Sequence, residues 1–449
     1  MTKLVFHLGD MKTGSTAIQT ALSSRGWKCD SVKLLYPAGK RVSHITFAQS
    51  LSGRVDATRT AKLAQAIAAE IKANPDADVA VISAEDFENV DPKVLKSTIE
   101  AYFPGALDSA RFIAYVRPHA DRFPSSYAER VKTGGFVGTL EELHAVLHAR
   151  EKFVYTPRFT AWRETFGTAF ELRPMIRDRL YRNDVVADFM SFALQTEDFT
   201  LSEAPDANES LSLENLSIVR EFHLKLNDSK NKGLPYQTTI GRAFARRMNE
   251  SAFREGTKVR IHRSLAEKVR EQYAADAAAL DAAFFTGTPM SDALIAAPGK
   301  AVAEAQSVRI EDHFTPREQF LINTLLSQTA ALVKADPDFL AASLRIEHRS
   351  KVTADDEGGV AAPRRRRPAR ERKGAEGAEG TAKAAKAGPG KAGAGRRRNA
   401  NAEAVEKVGA KAGPRKQAAA RLGAGRAGVR KPGQRGAGRA KAAKSDAEE

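Results

Sequence analysis

Residues 3–22 read KLVFHLGDMKTGSTAIQTAL, and the order of signals in this stretch decides the fold. An apolar run of strand type, residues 3–8, stops at Gly9, and helical spacing resumes at Ser15 through Ile18, Ala21 and Leu22. A strand that passes through a glycine-rich turn into a helix leaves the first N–H groups of that helix without internal partners. Those groups, at the positive end of the helix dipole, aim at whatever anion lies there. The stretch therefore predicts a phosphate cradle.

Further along, residues 78–83 (DVAVIS) and 111–116 (RFIAYV) are continuous apolar runs ending in polar residues, as in strands covered on both faces of a parallel sheet. Residues 169–174 (AFELRP) are a weaker fourth strand candidate, and residues 58–71 and 127–131 carry helical spacing between the runs. The alternation predicts an α/β class: a central parallel sheet flanked by helices, doubly wound, reaching to about residue 200. Beyond it, amphipathic segments around 213–226, 265–285 and 317–344 predict a helical extension over 201–350.

At residue 351 the composition changes. Residues 351–449 hold 26 Lys and Arg against 11 Asp and Glu, a net +15, whereas the preceding residues hold 45 against 44. The basic character of the whole chain, formally +16, thus belongs to the tail. Ala, Gly, Lys, Arg and Pro dominate the tail, with too little apolar surface to offset the entropy of ordering, so disorder is expected. One cysteine, Cys29, allows no internal disulfide, and no stretch reads as a signal peptide or a membrane span. A cytoplasmic protein is the expectation.

The turn differs from the nucleotide-binding pattern G-x-x-x-x-G-K-[ST] in one informative way. Gly9 and Gly14 keep the glycine spacing, but Ser15 stands in the lysine position and the lysine comes earlier, as Lys12. This substitution argues against an ordinary ATPase or kinase, which would also need magnesium. The arrangement resembles the phosphosulfate loop of sulfotransferases that use 3'-phosphoadenosine 5'-phosphosulfate (PAPS), where a lysine precedes T-G-[ST]-[ST] and no metal is needed. The resemblance implies that Lys12 contacts the phosphosulfate and stabilises the bridging oxygen, with Thr13, Gly14, Ser15 and Thr16 as further donors. Read without it, the same turn is a helix N-cap.

A second stretch, residues 115–127 (YVRPHADRFPSSY), extends the likeness. In these sulfotransferases the 3'-phosphate is held by an arginine at the end of a buried strand and by a serine eight residues later, near the start of the next helix. Arg117 and Ser125 match that spacing, and an arginine fork grips phosphate through paired charge-assisted bonds. Their plainer readings are a surface ion pair and a cap. Segments LRPMIRDRL and NESLSLENLSIVREF also resemble bacterial members, taking the likeness to about residue 225.

For the acceptor's proton the family uses histidine or glutamate. Glu85, in VISAEDF, lies just past a predicted central strand and resembles the proposed base in the family's S-[SA]-E segment, with Asp86 its nearest rival. His44 opens a predicted helix and is an alternative that would line the acceptor pocket or simply sit at the surface. His7, inside the first strand, reads as a packed histidine. The acceptor, a sugar, lipid head group or small metabolite, is not named by any motif. Two rival functions remain: a nucleotide-dependent phosphotransferase, and non-specific contact of the tail with nucleic acid or an anionic membrane.

Overall fold

Strand β1 (Lys3–Leu8) is buried from its second residue onward, and in the computed structural model it runs between two neighbours at the centre of a sheet. The structure describes residues 2–39, 41–53, 57–202, 210–227, 237–249, 256–336, 338 and 342–343. Among these the other strands are β2 (Trp27–Lys28), β3 (Leu34–Leu35), β4 (Val79–Ala84), β5 (Arg111–Val116), β6 (Phe170–Pro174) and β7 (Thr200–Leu201). The helices are α1 (Ser15–Ser24), α2 (Ile45–Leu51), α3 (Ala57–Lys72), α4 (Pro92–Tyr102), α5 (His119–Lys132), α6 (Leu140–His148), α7 (Thr156–Phe166) and α8 (Val185–Leu194). They continue as α9 (Leu213–Leu226), α10 (Gln237–Asn249), α11 (Arg263–Phe284), α12 (Pro289–Lys300) and α13 (Pro316–Ala335).

Five strands form a parallel sheet in the order β3-β4-β1-β5-β6, while β2 and β7 pair separately and antiparallel. Chain order reverses on either side of β1, so the crevice at its carboxyl end is where such sheets place their ligands. Alternate residues of each strand feed two cores. Leu4, Phe6, Ile82, Phe112 and Ala114 meet Phe47, Leu95, Phe123 and Trp162 on one face. Val5, Val81, Ile113 and Tyr115 meet Ile18, Leu22 and Phe189 on the other. Burial on both faces explains why β4 and β5 read as unbroken apolar runs rather than alternating ones.

The expected α/β class and the helical region after residue 201 are present. The expected helix at 127–131 proves to be the end of α5, which starts at His119, so Ser125 lies in the second turn and not the first. Pro118 occupies the N-cap and its carbonyl accepts from the Arg122 N–H at 3.0 Å. Pro124 is then carried inside the helix, where it omits one ladder hydrogen bond. All described residues belong to one compact unit, Met1–Arg364. The expected basic tail, 351–449, and residues 337, 339–341 and 344 of the segment expected at 317–344 lie outside the described residues. Among the described residues no helix is long and apolar enough to cross a membrane.

Candidate phosphate-binding site

The turn between β1 and α1 is left-handed at Lys12 (φ 67°) and again at Gly14 (φ 83°), but not at Thr13 between them. Alternation of this kind turns successive backbone N–H groups towards one concavity, the geometry of an anion nest. The turn is held from beneath: Thr13 Oγ1 donates to the Asp10 carbonyl at 2.7 Å, and Ser15 Oγ to the same oxygen at 3.4 Å. Those two hydroxyls are buried, whereas Thr16 is exposed on α1. Both glycines are sterically required. A Cβ on Gly14 would lie 2.7 Å from Val185 Cγ1, and one on Gly9 would lie 2.8 Å from the Glu85 Cα. The second contact shows how closely the end of β4 approaches the turn.

One face of α5 completes the site. Arg122, Ser125, Glu129 and Lys132 recur at helical spacing and so share that face. Arg117, at the end of β5, donates through Nη1 to the Lys12 carbonyl at 3.0 Å and to Ser125 Oγ at 3.2 Å. Two motifs separated by 105 positions in the chain therefore meet at one loop. Lys12 Nζ lies 2.7 Å from Glu129 Oε2, which also receives Lys132 Nζ at 2.5 Å, while Arg242 Nη2 on α10 lies 3.4 Å from Glu129 Oε1. Burial pulls the Lys12 ammonium below its ordinary range and Glu129 opposes that shift. For Glu129, burial works against the charge, but Lys12 and Lys132 hold its carboxyl down at about 2.

Behind the turn lies a buried charge cluster that no sequence motif announced. Asp10 accepts from Arg122 Nη2 at 2.8 Å and from Arg158 Nη2 at 3.1 Å. Glu88 pairs with Arg158 Nη1 at 3.3 Å and Lys152 Nζ at 3.0 Å, and its Oε2 accepts the Met11 N–H at 3.4 Å. Burial raises the Asp10 carboxyl against the pull of both arginines. Burial opposes the Glu88 charge too, yet Arg158, the Asp10 hydrogen bond and Arg122 keep its carboxyl below the usual range. Four segments distant in sequence build this cluster, so spacing carries no trace of it. Its only local signal is an aspartate directly after Gly9.

Glu85 opens a 3-10 turn (Glu85–Asn89) at the carboxyl end of β4 and is partly buried beside the loop. Burial raises its carboxyl above the ordinary range, Lys12 pulling the other way and Asp86 and Glu129 adding to the rise. Asp86 is buried and accepts from Gln49 Nε2 at 3.0 Å. His44 is also buried: its Nδ1 accepts the Ser83 N–H at 3.1 Å, and Nε2 donates to the Pro37 carbonyl at 3.0 Å. Both ring nitrogens are committed to backbone, and burial lowers its pKa to about 4. That makes His44 a neutral brace between β4 and the segment before α2. His7 is fully buried against Ser83 Oγ at 2.8 Å and is lowered by burial to about 3. The structure thus gathers Lys12, Thr13, Gly14, Ser15, Arg117, Ser125 and Glu85 at one end of the sheet, with His44 tied into the scaffold.

No protein-family profile, curated protein or solved structure matches this chain.

Proposed function

We propose that the chain is a PAPS-dependent sulfotransferase. The observation that carries this reading is the Arg117 guanidinium spanning Ser125 Oγ and the Lys12 carbonyl, which ties a phosphate-gripping pair to the loop lysine. The residues suit the donor: a left-handed nest at Lys12 and Gly14 for the 5'-phosphosulfate, and a cation with a hydroxyl for the 3'-phosphate. The chemistry supplied by the donor is attack of the acceptor oxygen or nitrogen on sulfur, with rupture of the bond to the bridging oxygen and loss of adenosine 3',5'-bisphosphate.

In that reaction Lys12 turns from Glu129 to the donor and neutralises charge growing on the bridging oxygen. Lowering of its pKa by burial also eases donation of a proton there. Glu85 takes the acceptor's proton; burial raises its carboxyl against the opposing pull of Lys12, which makes it a better base than an ordinary glutamate. Arg117 and Ser125 bind and do not touch the reacting bond.

Calorimetry with adenosine 3',5'-bisphosphate in the absence of metal tests the reading. Wild-type protein is expected to bind, and Arg117→Ala to weaken binding by about tenfold or more, the worth of one charge-assisted contact. Absence of bisphosphate binding together with tight, magnesium-dependent ATP binding overturns it in favour of a phosphotransferase.

A further inference from the structure

On the solvent side of Lys12, charge does not balance. Glu129 is shared by three cations, Lys12, Lys132 and Arg242. Among the described residues neither Lys132 nor Arg242 has another carboxylate partner. Once Lys12 serves the donor's phosphosulfate, two cations face a single carboxylate. The patch also opens outwards in order: side-chain exposure is 20 % at Glu129, 33 % at Lys132 and 62 % at Arg242. Glu129 joins this patch to Lys12, and the turn that carries Lys12 packs through Gly9 against the Glu85 backbone, so the patch and the expected base flank the same turn.

Arg242 reaches this place by construction. Gly241 seats α10 on the end of α5 so closely that a Cβ there would lie 2.5 Å from the Lys132 carbonyl and 2.7 Å from His223 Nε2. At the other side of that contact, a Cβ on Gly134 would lie 2.6 Å from His223 Nδ1 and 2.7 Å from Gln237 Nε2. Gln237, the first residue of α10, further donates to Asn227 Oδ1 at 3.0 Å. Two glycines and an amide thus fix the helix that presents Arg242.

We infer that Lys132 and Arg242 form an acceptor subsite for an anion, so that the molecule sulfated is one that already carries a carboxylate, phosphate or sulfate near its reacting hydroxyl. The inference rests on the sulfotransferase reading. The anionic group docks between the two cations while the hydroxyl oxygen turns to Glu85. That oxygen bonds to sulfur, its proton passes to Glu85, and the bridging bond breaks to release adenosine 3',5'-bisphosphate. Two cations suit a bidentate oxyanion, and Arg242, being exposed, meets it first and steers it inwards.

The test compares p-nitrophenyl β-glucuronide with p-nitrophenyl β-glucoside, in which a hydroxymethyl group replaces the carboxylate at C6, scoring sulfation at the ring hydroxyls common to both and using full-length protein and saturating PAPS. The charged sugar should show kcat/KM at least about tenfold higher, and Arg242→Ala and Lys132→Gln should each bring the ratio close to unity. Titration of the bisphosphate complex with the glucuronide should show binding that Arg242→Ala weakens by a similar factor. In the same variant, affinity for the bisphosphate itself should stay within about twofold, because Arg242 touches Glu129 and not Arg117 or Ser125. Equal turnover of the two sugars, a ratio unmoved in both variants, or no glucuronide binding overturns the subsite while normal bisphosphate binding leaves the sulfotransferase reading standing. Failure of the bisphosphate to bind wild-type protein overturns both.

Discussion

Glu85 carries the sharpest expectation for a single side chain. Replacing it by glutamine keeps shape and removes the base, so turnover should fall by about 100-fold or more with bisphosphate affinity nearly unchanged. Its carboxyl is raised above the ordinary range, and the active form is ionised. Rate should therefore fall as pH drops, with a midpoint above the ordinary glutamate value of about 4.3. A wild-type profile flat down to about pH 4 contradicts the assignment. Glu129 behaves in the opposite sense. Its folded pKa is depressed to about 2, so the stability it contributes is present above the unfolded value and lost as pH falls towards about 2. The difference in urea midpoint between wild type and Glu129→Gln should accordingly shrink between about pH 6 and about pH 3. At Gly9, alanine would drive a Cβ against the Glu85 backbone. A loss of about 1–3 kcal/mol in chemical unfolding is expected, typical of an overpacked site.

Helix α5 shows how far an element can be read before its partners are known. Its positions 122, 125, 129 and 132 share one face by periodicity alone, and the spacing of Arg117 from Ser125 could be read directly. The sequence also gave no warning against β1, β4 and β5 as strands, since six apolar-rich residues buried on both faces leave a continuous signature. By contrast β3 is only two residues long, and its strand character comes from pairing with β4 and not from its own composition. The Asp10, Glu88, Arg122 and Arg158 cluster was illegible for a related reason: ion pairs between positions 148 apart leave no local period. That cluster fastens β1, the turn after β4, α5 and α7 to one another. Removing Arg122 would leave Asp10 buried with a single cation, so Arg122→Ala should destabilise by about 3–5 kcal/mol in urea unfolding. Bisphosphate affinity should fall with it, because the Asp10 carbonyl anchors Thr13 and Ser15.

For the molecule as a whole, charge is divided between a nearly neutral body and a strongly basic tail. Truncation after Ser350 should leave bisphosphate affinity and the unfolding midpoint unchanged while abolishing retention on heparin or DNA resin. Retention of the full chain should collapse between about 50 and 200 mM salt, as counterion release requires. Loss of bisphosphate binding on truncation would place the tail within the folded unit. The central position of β1 has a different consequence, felt while the protein is being made. Val5 aligns with Val81 on one side and Arg111 on the other, so this apolar segment is synthesised well before either partner strand, and β5 comes last. At ordinary elongation rates that delay is roughly 5–20 s. Throughout it, KLVFHL lacks one or both of its neighbouring strands and leaves a sticky edge open, which makes the nascent chain a client for a holding chaperone until residues 111–116 emerge to close the sheet.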